Sequence, residues 1–339
     1  MIISKLITEN YIYINLHAEQ VITANYLESS KEGIFVTELN LTTLKNVFED
    51  LKSLNVEDKR DVLVLDFKFL AFLQPNLKNL FINLKNLGFK IIFLNIEHKI
   101  IESNGFDIVT NSNNELEGSI FKKFYFFEGD DSDIMTLVLD IDNAFYNMFK
   151  GILIANKSTE ENIKHTSSFV YISSYIDIKK IITFERSFIL YAIYNLAIKI
   201  NEEYLKKKEI APKLVCQSLN GSFIASILST YLSLDIVIFD KIGPVNKLYS
   251  RLNKVIEEDG EYVVISDLVC LGTEVKIVRN LIQFLGGKYL GSIALIKVET
   301  LAKNHIDKID TTTAVFSIRK SNNQELGYKI YTNLEDTTK

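Results

Sequence analysis

Between residues 59 and 97 the apolar positions change their period from element to element. Residues 62–66 form a short, mostly continuous apolar run that predicts a strand buried on both faces. From 76 to 87, Leu77, Leu80, Phe81, Leu84 and Leu87 recur at helical spacing, and Gly88 follows where a helix C-cap belongs. A second apolar strand is predicted at residues 90–94. Upstream, Leu41, Leu44, Val47, Phe48 and Leu51 make one face of another amphipathic helix. Strands and helices alternating in this way predict a small α/β domain.

Residues 111–118 read as a polar linker. A strand is predicted within 121–127 and a helix over 135–149. The acidic run at 128–133 lacks the Gly and closing Glu of a calcium loop, so it reads as solvated loop. The second half repeats strand, turn and helix with short connections. A helix is predicted over 185–206, with Phe188, Tyr191, Ala192, Leu196 and Ile200 on one face. Strands follow at 213–216, 236–239, 262–266 and 291–298, with helices at 223–232 and 275–285 and a polar turn at 217–222. That order predicts a parallel sheet, and parallel sheets bind ligands beyond the carboxyl ends of their strands.

A chain of 339 residues is long for one domain, and its 47% hydrophobic and 24% charged content suits a globular core. The division expected is an α/β domain at 1–110, connecting elements at 111–160 and a second α/β domain at 161–339. A net charge of −5 gives no electrostatic case for nucleic acid or an anionic membrane surface. Cys216 and Cys270 are the only cysteines, too few for a disulfide framework or a Cys-based zinc site. His17, His98, His165 and His305 are scattered without ligand spacing. The first residues lack the apolar core of a signal peptide, and no apolar run approaches the roughly 18 residues of a membrane span. A reducing cytoplasm is the expected compartment.

The chemistry concentrates in residues 261–274. An apolar strand ends on Ser266 and Asp267, a turn contains Gly272, and a helix follows. Turn amides and a helix N-terminus converge on anions, and Gly lets them approach closely. This stretch resembles the phosphoribosyl diphosphate (PRPP) loop of type I phosphoribosyltransferases. In that family two acidic residues hold the ribose hydroxyls and a small polar turn wraps the 5′-phosphate. The resemblance gives Asp267 the ribose role and assigns phosphate binding to Leu271, Gly272, Thr273 and Glu274, with Ser266 in place of one carboxylate. Leu271 stands where a hydroxyl is usual, and Glu274 puts a carboxylate at the helix start. Two like charges 4 Å apart cost about 4 kcal/mol at an effective dielectric near 20, so Glu274 either fills the anion position, caps the helix or faces outward.

The turn at 217–222 is similar to the family's diphosphate loop, with Ser218, Asn220, Gly221 and Ser222 as its candidates. Lys241 matches a lysine that orotate-type members carry after the next strand, and Lys247, Arg251 and Lys254 follow on a basic run. The likeness covers about 166–317 and implies Mg²⁺-bound PRPP, catalysis by Asp267 and Lys241 and an indirect metal contact through Asp267. It also makes a homodimer the expected assembly. Residues 34–109 resemble a STAS domain, with Pro75 where that family's phosphorylatable Ser stands, so a protein-docking surface is expected there in place of a phospho-switch. The fold class expected is thus α/β: a parallel-sheet phosphoribosyltransferase-like domain preceded by a smaller STAS-like domain. Three functions stay open, the last of them a structural interaction protein whose pocket binds nothing. The first is transfer of phosphoribosyl to a nitrogenous base with diphosphate release. The second is a PRPP or nucleotide sensor without turnover that signals through the STAS-like domain. Cys270 reads as a small turn residue, and Asp140 and Asp142 as surface carboxylates.

Overall fold

The structure, a computed structural model, describes residues 3–17, 38–106, 124–127, 139–157, 163–164, 171–172, 176–206, 211–239, 255–270, 272–298, 312–318 and 329–330. It is mixed α/β and divides into two compact units, Met1–Asn147 and Met148–Lys339. The helix α4 (Ile141–Ala155) runs across that division.

The first unit holds β1 (Ser4–Ile7), β2 (Tyr11–Asn15), β3 (Glu38–Leu39), α1 (Leu41–Lys52), β4 (Val62–Asp66), β5 (Phe72–Leu73), α2 (Lys78–Asn86), β6 (Lys90–Leu94), α3 (His98–Ser103) and β7 (Phe124–Phe126). Its main sheet has the order β1-β2-β4-β6-β7, with β2, β4 and β6 parallel and both outer strands antiparallel. β4 is buried at every position, as its apolar run requires. α1 starts where Asn40 accepts a hydrogen bond from the Thr43 amide at 2.8 Å. α2 begins at Lys78, two residues inside the predicted 76–87, because Asn76 holds a left-handed φ of 70°. Gly88, at φ 99°, ends it as expected. Phe67, Phe81, Phe93, Phe106 and Phe127 interlock in the core, the first and third with centroids 5.0 Å apart. At the carboxyl ends of the parallel strands, buried Asp66 accepts from Asn95 Nδ2 and the Lys68 amide, both at 2.8 Å, and from the Tyr13 hydroxyl.

In the second unit, the three-stranded sheet β15-β9-β8 joins Lys329–Ile330, Tyr171–Ile172 and Ile163–Lys164. The larger sheet uses β10 (Lys213–Cys216), β11 (Ile236–Ile238), β12 (Glu261–Val269), β13 (Lys288–Val298) and β14 (Thr312–Ile318), in the order β11-β10-β12-β13-β14. Every pairing in it is parallel. The predicted helix over 185–206 is α6 (Arg186–Ile200) continued by a wider turn at 201–205; a short helix that was not predicted, α5 (Ile178–Phe184), precedes it, and the chain bends by 111° between them at Glu185. α6 packs on α7 (Leu219–Leu232), β13 and β14, and α8 (Thr273–Phe284) packs on β12 and β13. Among the described residues no single helix is long and apolar enough to cross a membrane.

Strand order decides where a ligand can enter. From β10 the chain steps outward to β11, then crosses back past β10 to β12 and continues to β13 and β14. Between β10 and β12 the winding reverses, and connections that leave toward opposite sides open a crevice at the carboxyl ends there. Side-chain alternation places the two helices on opposite faces. Val215 and Val264 join Val275, Val278 and Ile282 of α8 in one core, whereas Cys216 meets Ser222 of α7.

Candidate functional site

β12 runs to Val269, so Asp267 lies within the strand and not at its end as predicted. Its pairing with β13 carries on through Leu268↔Ile296 and Val269↔Lys297, while β10 leaves β12 after Val215↔Val264. The last third of β12 therefore has an open side, and α7 starts beside it. By the alternation of β12, Asp267 continues the row of Val263 and Ile265 on the α7 side. The structure bears this out: Asn220 Nδ2 donates to Asp267 Oδ2 at 2.8 Å. The last part of β12 and the first turn of α7, 47 positions apart in the chain, thus meet through one hydrogen bond.

The turn predicted at 217–222 is shorter than expected, because α7 already begins at Leu219. Ser218 is its N-cap: its Oγ accepts from the Gly221 amide at 2.9 Å, and its carbonyl accepts from the Ser222 amide at 2.8 Å. Ser222 Oγ donates to the same carbonyl at 2.9 Å and stands 3.5 Å from Cys216 Sγ. Both hydroxyls therefore serve the helix start. Anion contacts at this turn fall to backbone N–H groups, since the first-turn amides of a helix lack intrahelical acceptors. Gly221 permits a close approach: a Cβ there would lie 3.0 Å from Ser218 Oγ and 3.3 Å from the Ile265 carbonyl oxygen. Burial pushes the Cys216 thiol above its ordinary pKa, and the Ser222 contact only partly offsets it.

On the β12 side, Ser266 is buried, with its Oγ 3.5 Å from the Leu268 carbonyl. Gly272 precedes α8 with a φ of 71°, a conformation that suits Gly, and its carbonyl accepts from the Lys276 amide at 2.9 Å. Thr273 and Glu274 form the first turn of α8. Glu274 is partly buried, and its carboxyl pKa is raised, first by burial and then by the charge of Asp267. The Glu274 carboxyl thus feels the same carboxylate that Asn220 holds. Lys241 and Leu271 lie outside the described residues, as do Lys247, Arg251 and Lys254.

Sequence reasoning passed over Gln217. Its Oε1 is buried without a hydrogen-bond partner at the end of β10. A polar residue closing an apolar strand was the only signal available. The carboxylates read as surface decoration have a local role: Asp140 starts α4, its Oδ1 accepting from the Asn143 amide at 3.1 Å. Among the described residues no group of three or more His, Cys, Asp or Glu is arranged to hold a metal ion. Mg²⁺ needs less than that, since it binds through one or two carboxylates together with ligand phosphates and water. Asp267, with Glu274 nearby, fits such a shared site.

No protein-family model matches this chain, and no curated protein matches it. Solved phosphoribosyltransferase structures resemble part of it. Adenine phosphoribosyltransferase from Rhodothermus marinus DSM 4252 is similar at 15% identity, over 51% of this chain and 99% of that one, with a TM-score of 0.38. Orotate phosphoribosyltransferase from Mycobacterium tuberculosis H37Rv, in complex with inorganic phosphate, is similar at 14% identity, over 51% and 95%, with a TM-score of 0.36. A hypoxanthine-guanine-xanthine phosphoribosyltransferase is similar at 19% identity, over 38% and 72%, with a TM-score of 0.30.

Proposed function

We propose that the second unit binds PRPP or a nucleotide across the carboxyl ends of β10 and β12 and transfers a phosphoribosyl group to a nitrogenous base, releasing diphosphate. The observation that carries this reading is the Asn220–Asp267 hydrogen bond, which brings the two candidate turns together at the winding reversal. Asp267 takes the ribose hydroxyls, the α8 start from Leu271 to Glu274 takes the 5′-phosphate, and the amides at the α7 start take the diphosphate. Mg²⁺ would be held by ligand phosphates and Asp267, where it neutralises charge on the leaving diphosphate. Lys241 adds a positive charge to the same leaving group. Preorganised charge of this kind supplies most of what such a transfer needs from the protein.

A second reading, ligand sensing without turnover, draws on one observation. Glu274 stands in the first turn of α8, where the 5′-phosphate would sit, with its pKa raised by burial. In that reading residues 1–110 act as a STAS-like docking domain for a protein partner. A homodimer through the second unit is part of either reading. Incubation with PRPP, Mg²⁺ and a panel of purine and pyrimidine bases separates the two. Release of diphosphate in the presence of one base supports transfer; saturable PRPP binding without release supports sensing; no binding of PRPP or any nucleotide sinks both.

A further inference from the structure

On the α7 side of its sheet, the carboxyl end of β12 offers one acceptor side chain for a ribose diol. Ser266 is buried, keeps a long contact to the Leu268 carbonyl, and by alternation continues the α8-side row of Val264, whereas Asp267 belongs to the α7 side. The α7 side chain that reaches Asp267 is Asn220, whose Nδ2 donates to Asp267 Oδ2 at 2.8 Å. A carboxylate only accepts, so this bond fixes the amide: its nitrogen faces Asp267 and its oxygen is turned away. Among the described residues, neither Asp267 Oδ1 nor Asn220 Oδ1 has a hydrogen-bond partner. Both side chains are partly exposed, and both stand where the winding of the sheet reverses.

We propose that Asn220 Oδ1 is the second hydroxyl acceptor of the site, so that Asn220 and Asp267 read the vicinal diol of a ribosyl ligand as a pair, one hydroxyl each. This rests on the ribosyl reading above and adds a specificity residue to it. The hydrogen bond between the two side chains presets them: each is already held by the other, so little rotamer freedom is left to lose on binding. An amide oxygen also accepts a hydroxyl hydrogen without adding charge, which suits a place where Asp267 already acts on the Glu274 carboxyl. The residue that reads the sugar then lies in the same first helical turn whose amides take the diphosphate.

The test is calorimetric titration of the full chain in Mg²⁺ with ribose 5-phosphate and with its 2-deoxy and 3-deoxy analogues. The wild-type protein is expected to lose roughly threefold to tenfold in affinity without the hydroxyl read by Asn220, and roughly tenfold to a hundredfold without the one read by Asp267, the ranges of a neutral and a charged hydrogen bond. Asn220→Ala is expected to keep its circular dichroism and to bind one deoxy sugar as well as ribose 5-phosphate, while the penalty for the other deoxy sugar remains. A residue that only holds Asp267 in place would shrink both penalties together. That result, two penalties that survive in Asn220→Ala, or a wild-type penalty for one hydroxyl alone overturns the role of Asn220 and leaves the ribosyl reading standing. A wild-type protein that binds none of the three sugars, or that ignores both hydroxyls, overturns both.

Discussion

Replacing Gly221 by Ala tests the joint between the two turns. The new methyl group would stand 3.0 Å from Ser218 Oγ, 3.3 Å from the Ile265 carbonyl oxygen and 3.5 Å from Cys216 Cβ. Only the first neighbour is a side-chain end that can move, and it is held by the Gly221 amide itself at 2.9 Å. Moving it sacrifices the helix cap, worth about 1 kcal/mol. Keeping it forces α7 away from β12, and overpacking of this kind costs about 1–3 kcal/mol. Against these stands the helical advantage of Ala over Gly, about 0.5–1 kcal/mol. The balance is a loss of about 1–2 kcal/mol, or a midpoint lowered by about 3–6 °C for a unit of this size. Circular dichroism of the full chain during urea and thermal unfolding measures it. Unchanged or increased stability would refute the close packing of α7 against β12, and with it the physical basis for Asn220 reaching Asp267.

Three further outcomes follow from particular contacts. Glu274 has a raised pKa in the folded protein, so folding binds protons: its destabilising influence is absent below the ordinary carboxylate range and grows as pH rises through the folded value. Glu274→Gln is therefore expected to raise the thermal midpoint at pH 7 and to change it little at pH 4; a lowered midpoint at pH 7 would mean that the carboxylate is a needed cap. Asn220→Ala removes the donor to Asp267 Oδ2 and is expected to cost about 1 kcal/mol in urea unfolding, reduced from the full value of a charged hydrogen bond by the partial exposure of the pair. In the first unit, Asp66→Ala removes the acceptor of Asn95 Nδ2 and the Lys68 N–H and leaves the Tyr13 hydroxyl its contact to Asn15 Oδ1 at 3.0 Å, and is expected to cost about 2 kcal/mol; unchanged stability would contradict the latch.

The sheet was legible in the sequence because strands buried on both faces read as unbroken apolar runs. β4, β6 and β10 fall at their predicted positions for that reason. The carboxyl end of β12 was not legible: Ser266 and Asp267 interrupt the apolar run, yet pairing with β13 alone carries the strand to Val269. The start of α7 was missed because Asn220-Gly221 reads as a turn, although Ser218 three residues before Gly221 is a helix-cap signal. The bend at Glu185 and the later start of α4 at Ile141 depend on tertiary packing and on the Asp140 cap, which periodicity does not report. For the site, residue types at strand ends pointed to Asp267 and Asn220 separately, and only the strand order joined them. The hydroxyls of Ser218 and Ser222 looked like ligand donors because sequence cannot show that the helix start already uses them.

Calorimetric titration of the wild-type chain and Asp267→Ala with PRPP and Mg²⁺ tests the central claim most directly. Saturable binding by the wild-type protein, lost in Asp267→Ala while the variant keeps its circular dichroism, is the predicted result. Equal binding by both proteins, or by neither, would contradict a ribosyl site at the carboxyl ends of β10 and β12.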